Sequence, residues 1–170
     1  IDELVLDVKW GSGAFMKTHA EAARLAQTLG HVGNGAGVLT RCVLTDMNQP
    51  LGRAVGNALE VAEAVASLKG EGPGDLDTLV CDLIGDPRAR DVLASGAAYE
   101  RFCRMVRCQG GDPDAPLRGQ GCTEHEVLAS VPGTVLACDA LGVGRAAFVL
   151  GAGRTRADVA VHPGVGIVLH

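Results

Sequence analysis

The chain opens on an apolar run, Leu4-Val5-Leu6 and Val8 with Asp7 and Lys9 interposed, of the near-continuous kind shown by buried strands. Gly11-Ser12-Gly13 follows directly. Thr18, with Glu21 three residues on, forms a capping box that opens a helix predicted over 18–29. Ala22, Leu25, Ala26 and Leu29 supply its apolar face. Four glycines and an asparagine between Gly30 and Gly37 are expected to stop it. A second strand is predicted from Val38 to Leu44, then a polar loop from Thr45 to Gly52. A helix from Ala58 to Leu68 comes next, with Leu59, Ala62, Val65 and Ala66 aligned. Past a linker at 70–75, helices are predicted over Leu76–Ile84 and Pro87–Cys108, the latter broken near Gly96.

Gly110 to Cys122 is rich in glycine and proline and reads as a domain boundary, dividing the chain into 1–110, a linker at 111–122, and 123–170. Beyond it, Glu126–Val131 and Thr134–Cys138 are predicted as short strands turned by Pro132-Gly133. An apolar helix is expected over 141–150 and a last strand over 166–169. No internal repeat or low-complexity segment is present. Strand, glycine turn, helix and strand in that order define an α/β class, in which ligands bind beyond the carboxyl ends of the strands.

Composition narrows the picture. At 170 residues and 47% hydrophobic, the chain can bury one core, or one core plus a small appended unit. With 3% aromatic residues that core must be aliphatic. A net charge of −5 and scattered lysines (Lys9, Lys17, Lys69) argue against nucleic acid and anionic membrane as partners. No apolar run approaches the roughly 18 residues of a membrane span. Six cysteines occur without any Cys-x-x-Cys, and Cys81 and Cys103 lie in apolar company, so a reduced, cytoplasmic setting is expected. Ile1 lacks an initiator methionine and both ends abut strand signals, so the sequence reads as a segment of a longer polypeptide.

The glycine turn has two readings. It lacks the full dinucleotide fingerprint and the Gly-Lys-Ser/Thr of a P-loop, so it serves either as a tight strand-to-helix connection or as a close approach to a ligand. Four strings decide in favour of the second. Leu-Asp-Val-Lys-Trp-Gly-Ser-Gly-Ala-Phe-Met at 6–16, Leu-Thr-Asp-Met-Asn-Gln-Pro-Leu-Gly at 44–52, Val-Gly-Asn-Ala-Leu-Glu-Val-Ala-Glu-Ala at 55–64 and Leu-Gly-Ala-Gly-Arg at 150–154 together resemble the thymidine phosphorylase and pyrimidine-nucleoside phosphorylase family. Their order and spacing agree with it over nearly the whole chain, with the region 75–122 looser.

The resemblance implies part of a mixed-sheet α/β domain followed by the start of a small α+β unit. The family's helical domain, its glycine- and serine-rich phosphate loop, and the Arg, Ser and Lys that hold the pyrimidine would all precede Ile1. It implies reversible phosphorolysis of thymidine, deoxyuridine or uridine, with inorganic phosphate as co-substrate and no organic cofactor. Such chemistry asks the protein to position reactants and stabilise charge on the leaving base, not for the acidic pair of a glycosidase. A cytoplasmic homodimer is implied for the full-length protein, and no catalytic residue falls within this segment.

Two sets of residues carry over. Phe15 matches a family position lining the base pocket; read by pattern alone it is core filling after a glycine turn. Leu51 and Ala54, through backbone carbonyls, and Glu63, through its carboxylate, match a monovalent-cation site occupied by potassium in the family, consistent with the oxygen preference of hard cations. Without the resemblance Glu63 is a solvated helix residue. Asp7 and Lys9 share a strand face, where an ion pair is expected. Arg154 and Arg156 read as turn and surface pairing. His19, His31, His125, His162 and His170 show no metal-ligand spacing, and Ser12 has no His or Asp at nucleophile spacing. Two other functions remain in view: a degenerate, non-catalytic relative, and a biotinyl- or lipoyl-like carrier suggested by Val127–Val135. The carrier would need a hairpin lysine, which residues 70–170 lack.

Overall fold

The computed structural model describes residues 1–117, 122–154, 156 and 158–170. Its first unit is β1 (Glu3–Trp10), α1 (His19–Gly35) and β2 (Leu39–Asp46). The two strands pair in parallel over their full length, from Glu3 opposite Leu39 to Trp10 opposite Asp46. Parallel neighbours need a crossover, and α1 supplies it, packing Ala22 (0% exposed) beneath the strands. The capping box forms as the sequence predicts. The Thr18 hydroxyl accepts from Glu21 N at 3.3 Å, while Glu21 Oε2 accepts from Thr18 N at 2.9 Å. These bonds, led by the Thr18 amide, hold the Glu21 carboxyl below its ordinary value.

The glycines after residue 29 do not stop α1, which runs on to Gly35. Their role is close approach. A Cβ on Gly33 would lie 2.1 Å from Thr40 Oγ1, so only glycine lets the last turn press against the start of β2. Asn34 locks the junction, donating to Gly30 O at 2.7 Å and accepting from Thr40 N at 3.1 Å.

β3 (Ala54–Val55) leads into α2 (Asn57–Leu68), followed by α3 (Gly74–Ile84), α4 (Ala89–Ala94) and α5 (Ala97–Cys108). The break between α4 and α5 falls at Gly96, as expected. Of the linker expected at 111–122, residues 118–121 lie outside the described residues. The strands expected at 126–131 and 134–138 do not form. Val127, Leu128, Val131, Val135 and Leu136 are instead 69–95% exposed. An isolated hairpin with no third strand or helix to cover its apolar face is only marginally stable, and the described residues provide neither.

α6 (Ala140–Ala147) then forms and widens into a π-helical turn at Phe148–Ala152. β4 (Ile167–Val168) pairs antiparallel with β3, and Leu169 N donates to Arg53 O at 2.9 Å. The described residues are therefore α/β, with one parallel and one antiparallel strand pair among them. Among the described residues the buried hydrophobic ones are small: Val8, Ala22, Cys81, Ala89, Cys103, Ala140 and Ala147, the aliphatic core that a low aromatic content dictates.

Candidate functional site

Both parallel strands end at the same level, and the loops that leave them are stitched together. Trp10 O accepts from Met47 N at 2.7 Å, and Gly13 N donates to Met47 O at 2.9 Å. Gly11 turns the chain at φ +119°, a region closed to side chains, and a Cβ there would meet Asn48 at 2.8 Å. Asn48 Oδ1 accepts from Ser12 N at 3.1 Å, and its carbonyl accepts from the Ser12 hydroxyl at 3.2 Å. From the other side the Lys17 ammonium donates to Ser12 O at 3.0 Å and Ala14 O at 2.7 Å. The turn is thus gripped through its backbone at both flanks.

Phe15 is carried on this turn and is 98% exposed. The core-filling role that pattern alone assigns it is therefore wrong: the gripped backbone holds the ring out into solvent. The Ser12 hydroxyl also lies beside Asp139, the N-cap of α6. That hydroxyl first, and then Gly142 N, lower the Asp139 carboxyl from its ordinary value.

On β1, Lys9 Nζ lies 2.7 Å from Asp7 Oδ2 and 3.2 Å from Thr45 Oγ1, and the Thr45 hydroxyl donates to Asp7. The expected ion pair is present, extended by a cross-strand threonine. Arg156 pairs with Asp158 at 2.9 Å, the surface pairing expected of it. Cys81 and Cys103 are buried as anticipated. His19 packs edge-on against Trp10, with ring centroids 5.7 Å apart. Among the described residues no group of three or more His, Cys, Asp or Glu side chains could hold a metal.

A cleft of about 660 Å³ opens beside the glycine turn, lined in part by Lys9, Gly13, Leu51, Ala54 and Glu63. Glu63 Oε1 accepts from Arg53 N at 2.8 Å and Ala54 N at 3.1 Å. The register explains why the Ala54 amide is available. Ala54 stands opposite Val168 while Leu169 N bonds Arg53 O, so Ala54 takes the non-hydrogen-bonded position of an antiparallel pair. Gly52, at φ +68°, brings its backbone so close that a Cβ would lie 2.3 Å from Glu63 Oε2. Its amide donates to Asp75 Oδ2 at 3.0 Å. Leu51, Ala54 and Glu63 thus meet at one wall of the cleft, whereas Phe15 belongs to the turn beside it. The sequence reading passes over Asn48 and Lys17; the available signal is Asp46-Met-Asn48 just past a strand, the composition of an Asx turn.

The strand-end loops of this α/β unit gather an exposed aromatic ring, a cleft and a carboxylate over backbone amides, at the end of the strands where open α/β sheets hold ligands. These 170 residues are homologous along 98% of their length to a segment of the thymidine and pyrimidine-nucleoside phosphorylases. The thymidine phosphorylase of Mycobacterium tuberculosis is 47% identical over 176 residues. The pyrimidine-nucleoside phosphorylases of Bacillus subtilis and Staphylococcus aureus are each 42% identical, over 187 and 188 residues and 99% of this chain. The chain spans 41–43% of the length of these curated relatives. No protein-family profile matches it. The resemblance carried by the four strings is borne out. Among the described residues, no helix is long and apolar enough to cross a membrane.

Proposed function

We propose that these residues are part of an enzyme that cleaves pyrimidine nucleosides with phosphate, releasing thymine or uracil and a (deoxy)ribose 1-phosphate. The observation carrying this reading is the 42–47% identity to phosphorylases along 98–99% of the chain. Phe15 packs its face against the pyrimidine ring, a role suited to an aromatic left open to a ligand. The groups that bind phosphate and protonate or polarise the base are supplied by polypeptide outside these residues. Residues 1–110 belong to the large α/β domain, 111–122 form the linker, and 123–170 begin the smaller unit. The full-length protein works as a cytoplasmic homodimer.

Potassium binds at the Leu51 and Ala54 carbonyls and the Glu63 carboxylate. The fit is good as a partial set: Glu63 Oε2 takes no hydrogen bond from any described residue, and Ala54 is not bonded to β4. Three oxygens fall short of a hard cation's full shell, so the remaining ligands come from outside this segment.

Turnover tests the reading. The chain alone releases no thymine from thymidine, with or without phosphate. The polypeptide carrying it together with the rest of the family's length does so only when phosphate is present. Thymine from the chain alone would show that the catalytic groups are misplaced, and none from the longer polypeptide would overturn the assignment.

A further inference from the structure

We infer that Asn48 is a positioning residue: it fixes the Gly11–Phe15 turn, and through it the ring of Phe15, in the orientation that receives the nucleobase. The inference rests on the phosphorylase reading and adds to it a residue outside the base pocket. Its basis is the number of elements that converge on one side chain and its own backbone. Asn48 Nδ2 and N both donate to Asp46 Oδ1, at 2.7 and 2.8 Å, anchoring the residue to the end of β2. Oδ1 takes the Ser12 amide of the turn, and the carbonyl takes both the Ser12 hydroxyl and Ala140 N at the start of α6. β2, the glycine turn and α6 are therefore tied at one point.

Phe15 cannot be held by packing, because it is 98% exposed. The position of its Cα and Cβ is set by the backbone that precedes and follows it. Ser12 is three residues upstream, and its amide and hydroxyl both end on Asn48. Removing the Asn48 side chain frees the Ser12 amide and breaks the side-chain tie to Asp46, while the Ser12 hydroxyl, the Gly13 amide and Lys17 keep their bonds to backbone carbonyls. The Ser12 end of the turn then shifts by a fraction of an ångström, and the Phe15 side chain starts from a displaced position relative to the base.

The test uses a chimera in which these residues replace the aligned stretch of the Bacillus subtilis pyrimidine-nucleoside phosphorylase. Asn48→Ala raises the KM for thymidine about tenfold, as displacement of a positioning group by a fraction of an ångström does, and leaves the KM for phosphate unchanged. The exchange Asp46→Asn with Asn48→Asp restores the thymidine KM. The carboxylate then at position 48 still accepts from Ser12 N, while the amide at position 46 supplies the donor between the two side chains. Ser12→Ala, which deletes a single bond to Asn48, moves the same KM in the same direction by a smaller step and provides the reading if Asn48→Ala fails to fold. A fall in kcat with both KM values unchanged, or a thymidine KM insensitive to both variants, would overturn the inference while leaving the phosphorylase reading intact. A folded chimera without turnover would overturn the reading itself.

Discussion

Gly52→Ala measures how tightly the 51–54 loop is fitted under Glu63. Two separate costs arise. The first is local: at φ +68° a residue with a Cβ costs about 1–2 kcal/mol. The second is a collision, since the new methyl would lie 2.3 Å from Glu63 Oε2 and 2.9 Å from its Cδ. The carboxylate is the end of a flexible chain and can swing away, but doing so breaks its bonds to Arg53 N and Ala54 N. Bonds to a charged group contribute about 1.5–3 kcal/mol each when buried, and at this half-exposed wall the pair is worth about 2 kcal/mol. The total of roughly 3–4 kcal/mol corresponds to a fall in melting temperature of about 10 °C for a chain of this size. Urea or thermal unfolding followed by circular dichroism reads it. The Glu63→Ala background separates the two costs, because there the collision is gone and only the backbone cost of about 1–2 kcal/mol remains. An equal cost in both backgrounds would refute the argument.

Three further outcomes follow from the geometry. Phe15→Ala leaves the stability of the chain within about 0.5 kcal/mol of the parent, as an exposed substitution does, yet raises the thymidine KM of the chimera. Thr18→Ala removes the N-cap of α1 and costs about 1 kcal/mol, visible as a drop of roughly 2–4 °C on melting. The Asp86 carboxyl is lowered to about 2, chiefly by its bonds to the Arg88 side chain at 2.6 to 3.1 Å. Because the folded value lies below the ordinary value of 3.8, its stabilisation is complete above that pH and is lost as pH falls toward about 2. Asp86→Asn therefore lowers the urea midpoint at about pH 6, and the difference from the parent disappears near pH 2.

Much of the first hundred residues is legible because those signals are local. Thr18 with Glu21, the period of Ala58–Leu68 and the break at Gly96 each act within a few residues, and each formed as read. Where a residue answers to a distant partner, local signals mislead. Gly30, Gly33 and Gly35 look like stops, but Gly33 is glycine because Thr40 leaves no room for more. Alternation over 126–138 records a demand for a covering layer that the described residues do not meet. The site divides in the same way. Asp7 with Lys9 is readable from strand spacing, whereas Glu63 bonds amides nine and ten residues upstream and carries no local mark, so pattern alone reads it as a solvated helix residue. Core filling by Phe15, the reading from pattern alone, fails because the backbone hydrogen bonds around Gly11–Met16 leave it facing outward.

Trp10 is the chain's single tryptophan, and it lies where β1 gives way to the glycine turn. Its carbonyl is bonded to Met47 and its indole is edge-on to His19. Intrinsic emission from this segment therefore originates at one address, five residues from the exposed phenylalanine. A rearrangement of the turn alters the polarity and quenching around that indole without any label being attached, so nature has placed an optical gauge beside the part most worth watching.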